Sequence, residues 1–470
     1  MLDAIVIGSG PNGLSAAITL ARAGKSVVVH EAQSAIGGGT KSAELTLPGY
    51  VHDVCSAVHP MALASPFFRA LPLEQHGLEW IHSPVPLAHP LDDGPAVLLH
   101  RSLEETADGL GADGPAYRRL FGPLVARWDD LRQDILAPLG WPRNPLAMGM
   151  FGLPAMMPAS VLARLAFRTL RARALLAGSC GHSIVPFDWL ASSAIGLVLG
   201  TAGHAGGWPI PRGGSQALAN ALASYLRSLG GEIVVNSRVD DLRSLPPSRV
   251  VIFDLSPRAI AKIAGERLSP GFRSSLQKFR HGPGIFKLDW ALSRPIPWKS
   301  PECAKAATVH LGGTLEEIER SEKAPWQRTS CAAPYVLLAQ PSLFDPTRAP
   351  AGRHTAWAYC HVPNGSEEDG TDAIERQVER FAPWFRDLIL ARSVLSPWQL
   401  EQGNANLVGG DIGGGANMLA QLFLRPTRRL YATSDPALFI GSASTPPGGG
   451  VHGMCGYHAA QAALRRLARG

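Results

Sequence analysis

The chain has 470 residues, 46% of them hydrophobic and 17% charged, with a formal net charge of +6. That length exceeds one ordinary core and implies two or more domains, and the composition excludes a disordered protein. Its basic residues are mostly dispersed arginines without interleaved aromatics, so no nucleic acid partner is expected; the six cysteines (Cys55, Cys180, Cys303, Cys331, Cys360, Cys455) form no CxxC or other close pair, which excludes an encoded metal site and the dithiol class of redox enzymes.

The chain opens on an apolar run, Ala4 to Ile7, followed by Gly8, Gly10 and Gly13 in a GxGxxG pattern. Leu14, Ala17, Ile18 and Ala21 then recur at helical spacing until Gly24, and a second apolar run, Val27 to Val29, ends at Glu31. This strand, turn, helix and strand fit an adenine dinucleotide. Gly8 permits the tight turn, Gly10 lets the backbone approach a pyrophosphate, and Gly13 lets the helix lie close to the strands. The Glu31 carboxylate is placed to accept both ribose hydroxyls, and no arginine follows within four residues to meet a 2′-phosphate, which argues against NADP. The first strand begins at Leu2 and no uncharged apolar run reaches membrane-spanning length, so no leader is expected and the expected compartment is the cytoplasm.

Residues from about 85 to 205 are rich in Leu, Ala, Pro and Met and read as mainly helical, with breaks at Pro142, Pro145, Pro154 and Pro158. Within them the run Met148 to Met157, followed by Leu162, Leu165, Ala166 and Leu170 among Arg164, Arg168, Arg171 and Arg173, is apolar and basic. Two readings stand: a helix covering the core with a solvated arginine face, or a peripheral membrane contact that admits a lipophilic substrate. Trp208 to Leu255 returns to the style of the N-terminus, with a helix expected from about Gln216 to Ser228 and strands at Ile233–Val235 and Val250–Phe253. Residues from about 275 to 405 carry strand-like stretches at Ile285–Leu292, Tyr335–Ala339 and Thr355–Tyr359.

At the C-terminus, Leu438–Ile440 reads as a strand, followed by a glycine-rich turn and a helix from about Val451 to Leu467. This second glycine loop at a helix start separates FAD from NAD, because reduced flavin carries negative charge that a helix N-terminus stabilises. Gly453, Gly456 and Ala460 form a small-residue face for close packing. The expected fold is therefore α/β: a discontinuous Rossmann-like FAD-binding domain (residues 1–84, 205–274 and 406–470) with a mixed α+β substrate domain (85–204 and 275–405) bearing a helical lid.

With both ends read, the sequence resembles the phytoene desaturase and carotenoid oxidoreductase branch of the amine-oxidase-like flavoproteins. The likeness rests on Gly8, Gly10, Gly13, Glu31, Gly37-Gly38, Asp53 to Pro60, Trp208-Pro209 with Gly213-Gly214, and Arg425-Pro426 leading to Pro446 through Gly453. It implies that Glu31 binds the adenosine ribose, the Val239 backbone meets adenine, Gly441 and Ser442 lie along the pyrophosphate and ribityl chain, and Gly450 and Val451 touch the isoalloxazine. It also places Pro11, Asn12, Ala32, Gly38, Gly39 and Thr40 at the cofactor. Relatives usually carry arginine where this chain has Gly39, and Lys41 is the candidate to supply that cation.

Flavin accepts a hydride at N5 by itself, so few polar side chains are needed. The candidates are Lys287 and Asp289, which share one face of a strand, and His59 and His452, which flank the expected flavin; an ordinary salt bridge or cap is the competing reading of each. Only one complete GxGxxG unit exists, so a dedicated nicotinamide domain is not expected and the electrons go to oxygen or a quinone. The expected activity is hydride removal from a hydrophobic, polyene or isoprenoid-like substrate. The alternatives are a redox-neutral flavin-dependent isomerase, a non-catalytic regulatory flavoprotein, and an amine oxidase, which would need an aromatic cage around the flavin that sequence alone does not show.

Overall fold

Short apolar strands buried on both faces can pair in parallel only if helices cover them. The computed structural model of the chain describes residues 1–469, apart from the side chains at 422 and 423, and shows that arrangement at its N-terminal end. Five parallel strands lie in the order Leu438–Ile440, Ser248–Phe253, Leu2–Ile7, Val27–His30 and Glu232–Val234. Ala4 stands in register with Val250 on one side and Val27 on the other. The sheet thus draws on three widely separated stretches of the chain. Its strand order reverses between Leu2–Ile7 and Ser248–Phe253, and in open α/β sheets the crevice at such a reversal is where ligands bind.

The helix Pro11–Arg22 packs against both Gln216–Ser228 and the C-terminal helix Met454–Leu467. Small residues set that closeness. A Cβ on Gly13 would lie 2.0 Å from the Gly8 carbonyl oxygen, and one on Gly456 would lie 1.7 Å from the Asn12 carbonyl oxygen. The C-terminal helix starts at Met454 rather than Val451, because Gly453 at φ 69° turns the chain into it.

A second sheet of seven strands runs Ile389–Leu395, Gly284–Leu292, His354–Val362, Val336–Ala339, Ala306–Leu311, Val85–His89 and Val97–Leu99. It is antiparallel except between Ala306–Leu311 and Val85–His89. The stretch from about 85, read as helical, therefore begins with two strands. All five residues of Val85–His89 are buried, and a fully buried strand shows no alternation that would separate it from a helix by periodicity. Helices take over from Leu103 and continue, with breaks, to Ala205.

Candidate functional site

The crevice at the strand reversal opens into one cavity of about 650 Å³. Its wall runs from Ala32, Val239 and Asp240 past the Gly8 to Asn12 turn to Gly450, Val451 and His452, and on to Trp357 and Tyr359 of the second sheet. A cavity of this size and mixed lining is that of a cofactor site with space beside it.

Each polar group at the nucleotide end has a structural cause. Glu31, at the end of the strand Val27–His30, is 8% exposed and is held by the Ser9 amide at 3.0 Å, the Ser9 hydroxyl and the Gln33 amide at 2.9 Å. The helix Pro11–Arg22 has Gly10 at its N-cap and no acidic residue of its own in its first turn, so its positive end faces the cavity with Asp254, from the end of another strand, beside it. Asn12 Oδ1 is buried with no partner in the protein, on the cavity wall. Lys41 also reaches the wall, where burial lowers its pKa.

Asp254 is the residue that sequence reading missed. It follows the strand Ser248–Phe253, accepts the Gly13 amide through Oδ2 at 2.9 Å, and lines the cavity. Burial, with the Glu31 charge adding to it, pushes its carboxyl up to about 7. The available signal was a carboxylate at the carboxyl end of an apolar strand, the same signal that marked Glu31.

Of the expected cofactor contacts, Gly8, Gly10, Pro11, Asn12, Glu31, Ala32, Gly38, Gly39, Val239, Ser442, Gly450 and Val451 line the cavity. Gly13, Thr40 and Gly441 do not: Gly13 is taken up by packing and by Asp254, Thr40 donates its hydroxyl to the Gly37 carbonyl, and the Gly441 amide donates to Phe253.

The four side chains considered for chemistry separate. His59 and His452 line the cavity, and burial pushes both imidazoles down to about 4. His452 Nδ1 accepts the Met454 amide at 3.1 Å and so behaves as a cap. His59 Nε2 lies 2.8 Å from Ser215 Oγ, whose own hydrogen goes to the Ser56 carbonyl; the imidazole therefore donates there, and its Nδ1 is left with no partner in the protein. Lys287 and Asp289 lie just behind the wall, in register with Tyr359 and Trp357 respectively, with Lys287 Nζ 5.5 Å from the centroid of the Trp357 ring. They are fully buried, ion-paired with each other, and absent from the cavity wall, with His52 Nδ1 3.5 Å from Asp289 Oδ1. Nearby, Arg348 Nη2 donates to Asp53 Oδ2 at 2.7 Å.

The second sheet contributes a pair also not foreseen as site residues. Trp357 and Tyr359, two apart on the strand His354–Val362, stack with ring centroids 5.6 Å apart and 12° between planes, and both face the cavity. Two aromatics at i and i+2 in a strand point to one face, which is the sequence signal that identifies them.

Residues 3–259 match the family model described as FAD dependent oxidoreductase. The chain belongs to that family. Across this FAD-dependent oxidoreductase, pyridine nucleotide-disulfide oxidoreductase domain-containing protein 2 of Rattus norvegicus is 26% identical over 560 residues, covering 99% of this chain and 94% of that one. Phytoene dehydrogenase of Streptomyces griseus is 26% identical over 429 residues, covering 82% and 77%. Wild-type putrescine oxidase bound to putrescine superposes with a TM-score of 0.63 at 17% identity over 100% of this chain and 99% of that one, which establishes an amine-oxidase-like flavoprotein fold. FAD is the cofactor of this family, and the donor set fits it: Glu31 suits the ribose hydroxyls, the open helix end with Asn12 and Lys41 suits the pyrophosphate, and the turn at Gly450 and Val451 offers backbone to the ring system.

Proposed function

We propose that this oxidoreductase removes a hydride from a C–H bond of an apolar, polyene- or isoprenoid-like substrate. The observation that carries the proposal is the part of the cavity wall built by Ile135, Leu136, Ile184, Ile195, Val198 and Leu199. The carboxylates among the described wall residues, Glu31, Asp240 and Asp254, all belong to the nucleotide end, so the apolar end offers no carboxylate to a cationic substrate. When bound, FAD supplies the hydride acceptor at N5.

The chain does the rest. The aliphatic wall holds the substrate and excludes water, and the stacked Trp357 and Tyr359 bound the space in which it orients. His59 is positioned to take a proton, because its Nδ1 lone pair is unclaimed while Nε2–H is committed to Ser215; burial keeps it neutral above about pH 4 and so also weakens it as a base. Electrons leave to an acceptor from outside the chain, oxygen or a quinone.

The test is anaerobic stopped-flow of the purified holoenzyme at the flavin absorbance, with an acyclic polyene in detergent and putrescine as the alternative donors. Bleaching by the polyene, reoxidation by a quinone, and a rate loss of about 10²-fold or more in His59→Gln are expected. Bleaching by the amine alone would overturn the apolar reading, and an unchanged rate in His59→Gln would remove the histidine from it.

A further inference from the structure

Apolar side chains left in water at high density call for an explanation. More than half of the exposed large apolar side chains among the described residues fall between Leu139 and Leu170. Trp141 is 90% exposed, Leu153 80%, Leu165 73% and Leu139 61%. They are ordered by the helices that carry them. In Pro145–Ala155, Leu146, Met150 and Leu153 recur at i, i+4 and i+7 as an outward stripe, while Ala147 and Ala155 are buried on the other side. In Ala159–Ala166, Val161 and Leu165 face out while Leu162 and Ala163 face in. The two helices meet at 99°, and among the described residues no single helix is long and apolar enough to cross a membrane.

Charge identifies what covers this surface. From Ile135 to Phe187 the chain has no aspartate or glutamate and five arginines. Arg164 pairs with Glu316 and Glu319, and Arg171 donates to the Pro95 carbonyl, so these two are committed to the fold. Arg143 and Arg168 are exposed beside the apolar stripe and engage in no side-chain ion pair among the described residues; Arg143 makes one neutral contact, donating Nη1 to Gln133 Oε1 at 3.0 Å, and its amide donates to Asp134. A second copy of the chain is a poor occupant, since a two-fold contact sets a patch against itself and would oppose these cations. An anionic, apolar surface is complementary on both counts.

The position adds a reason for such a surface. Ile135 and Leu136, which line the cavity, immediately precede the exposed segment, and the helix Ala194–Ala205, which supplies Ile195, Val198 and Leu199 to the wall, packs directly against Pro145–Ala155. Thus the exposed stripe and the apolar end of the cavity are two sides of one helical layer.

We propose that residues 139–170 seat the protein on an anionic lipid bilayer, with Trp141, Leu153 and Leu165 in the acyl boundary and Arg143 and Arg168 among the headgroups. A helix that lies in the interface gains from buried apolar area and from attraction to anionic lipid together, which makes both halves separately testable. The experiment is flotation of the full-length holoprotein with vesicles of phosphatidylcholine alone or with added phosphatidylglycerol, at low and high salt. It needs no substrate and reads out independently of the proposed reaction.

Binding to the anionic vesicles, weakened by salt and reduced at least tenfold both in Leu153→Glu with Leu165→Glu and in Arg143→Glu with Arg168→Glu, is expected. All four positions are exposed, and retained flavin absorbance verifies that the variants are folded. Absence of flotation, or flotation equal in wild type and both variants, overturns the proposal. So does equal binding to neutral vesicles. A dimer in size-exclusion chromatography that dissociates in the leucine variant, without vesicle binding, would assign the surface to a second copy; soluble capture of an acidic protein in place of vesicles would likewise overturn it.

Discussion

Asp254 shows how one side chain couples the protein's ionisation to its cofactor. Its carboxyl sits between the Gly13 amide, which holds it at 2.9 Å, and the Glu31 charge, in surroundings that push it up to about 7. A solvated aspartate titrates at 3.8, so between about pH 4 and about pH 7 the folded protein holds a proton that the unfolded chain has lost, and this residue's effect on stability becomes less favourable as pH rises through that window. A pyrophosphate beside it adds negative charge and favours the protonated form further. FAD affinity of the apoprotein, measured by quenching of flavin fluorescence, is therefore expected to fall about three- to tenfold as pH rises from about 6 to about 8. Asp254→Asn should flatten that slope. An equal slope in the variant would place the titrating group elsewhere.

At the scale of elements, the N-terminal helix is held by missing side chains. Gly456 of Met454–Leu467 leaves room for the Asn12 carbonyl, and Asn12 itself lies on the cavity wall, so the packing of two helices positions a cofactor contact. Gly456→Ala should cost about 1–3 kcal/mol in urea unfolding, the range for overpacking a close contact. It should also weaken FAD retention, because the helix must shift away from the cavity to admit the methyl; full stability with unchanged FAD binding would contradict this. The strand Gly284–Leu292 illustrates the opposite use of polarity. Lys287 and Asp289 share a face with Tyr359 and Trp357, as alternation and register require, but their charges answer each other beside those rings.

Across the whole molecule, buried charge joins distant segments: Asp53 ends the short hairpin strand Val51–Asp53, and Arg348 ends the turn Pro346–Arg348. Asp53 accepts from Arg348, from the Ser42 hydroxyl at 2.7 Å and from the Ser215 amide at 2.7 Å, while Arg348 also donates to the Val51 carbonyl at 3.0 Å. Burial by itself would raise the Asp53 carboxyl, but these partners hold it below the ordinary range. Both members of the pair are fully buried and stand nearly 300 residues apart in sequence. Arg348→Ala leaves a carboxylate buried without its counter-charge, and a loss of about 3–5 kcal/mol in denaturant unfolding is expected. Because Asp53 holds the Ser215 amide and Ser215 holds His59 on the cavity wall, the same variant should also release FAD more readily; a loss under about 1 kcal/mol would show that water reaches Asp53.

Local pattern alone was enough for the dinucleotide turn, the carboxylate at Glu31, the helix Gln216–Ser228, the strand Leu438–Ile440 and the cofactor class, because turns, caps and periodicity act between residues close in the chain. It did not separate strand from helix at Val85–His89, where burial on both faces erases the alternation. Nor did it find Asp254, the Trp357 and Tyr359 pair, or the internal pairing that keeps Lys287 and Asp289 off the cavity wall. Those depend on what stands opposite a side chain once distant segments meet. Spacing can set the face of an element on which a residue lies, but whether that face meets a cofactor, a counter-charge or solvent is settled only when the sheets pack.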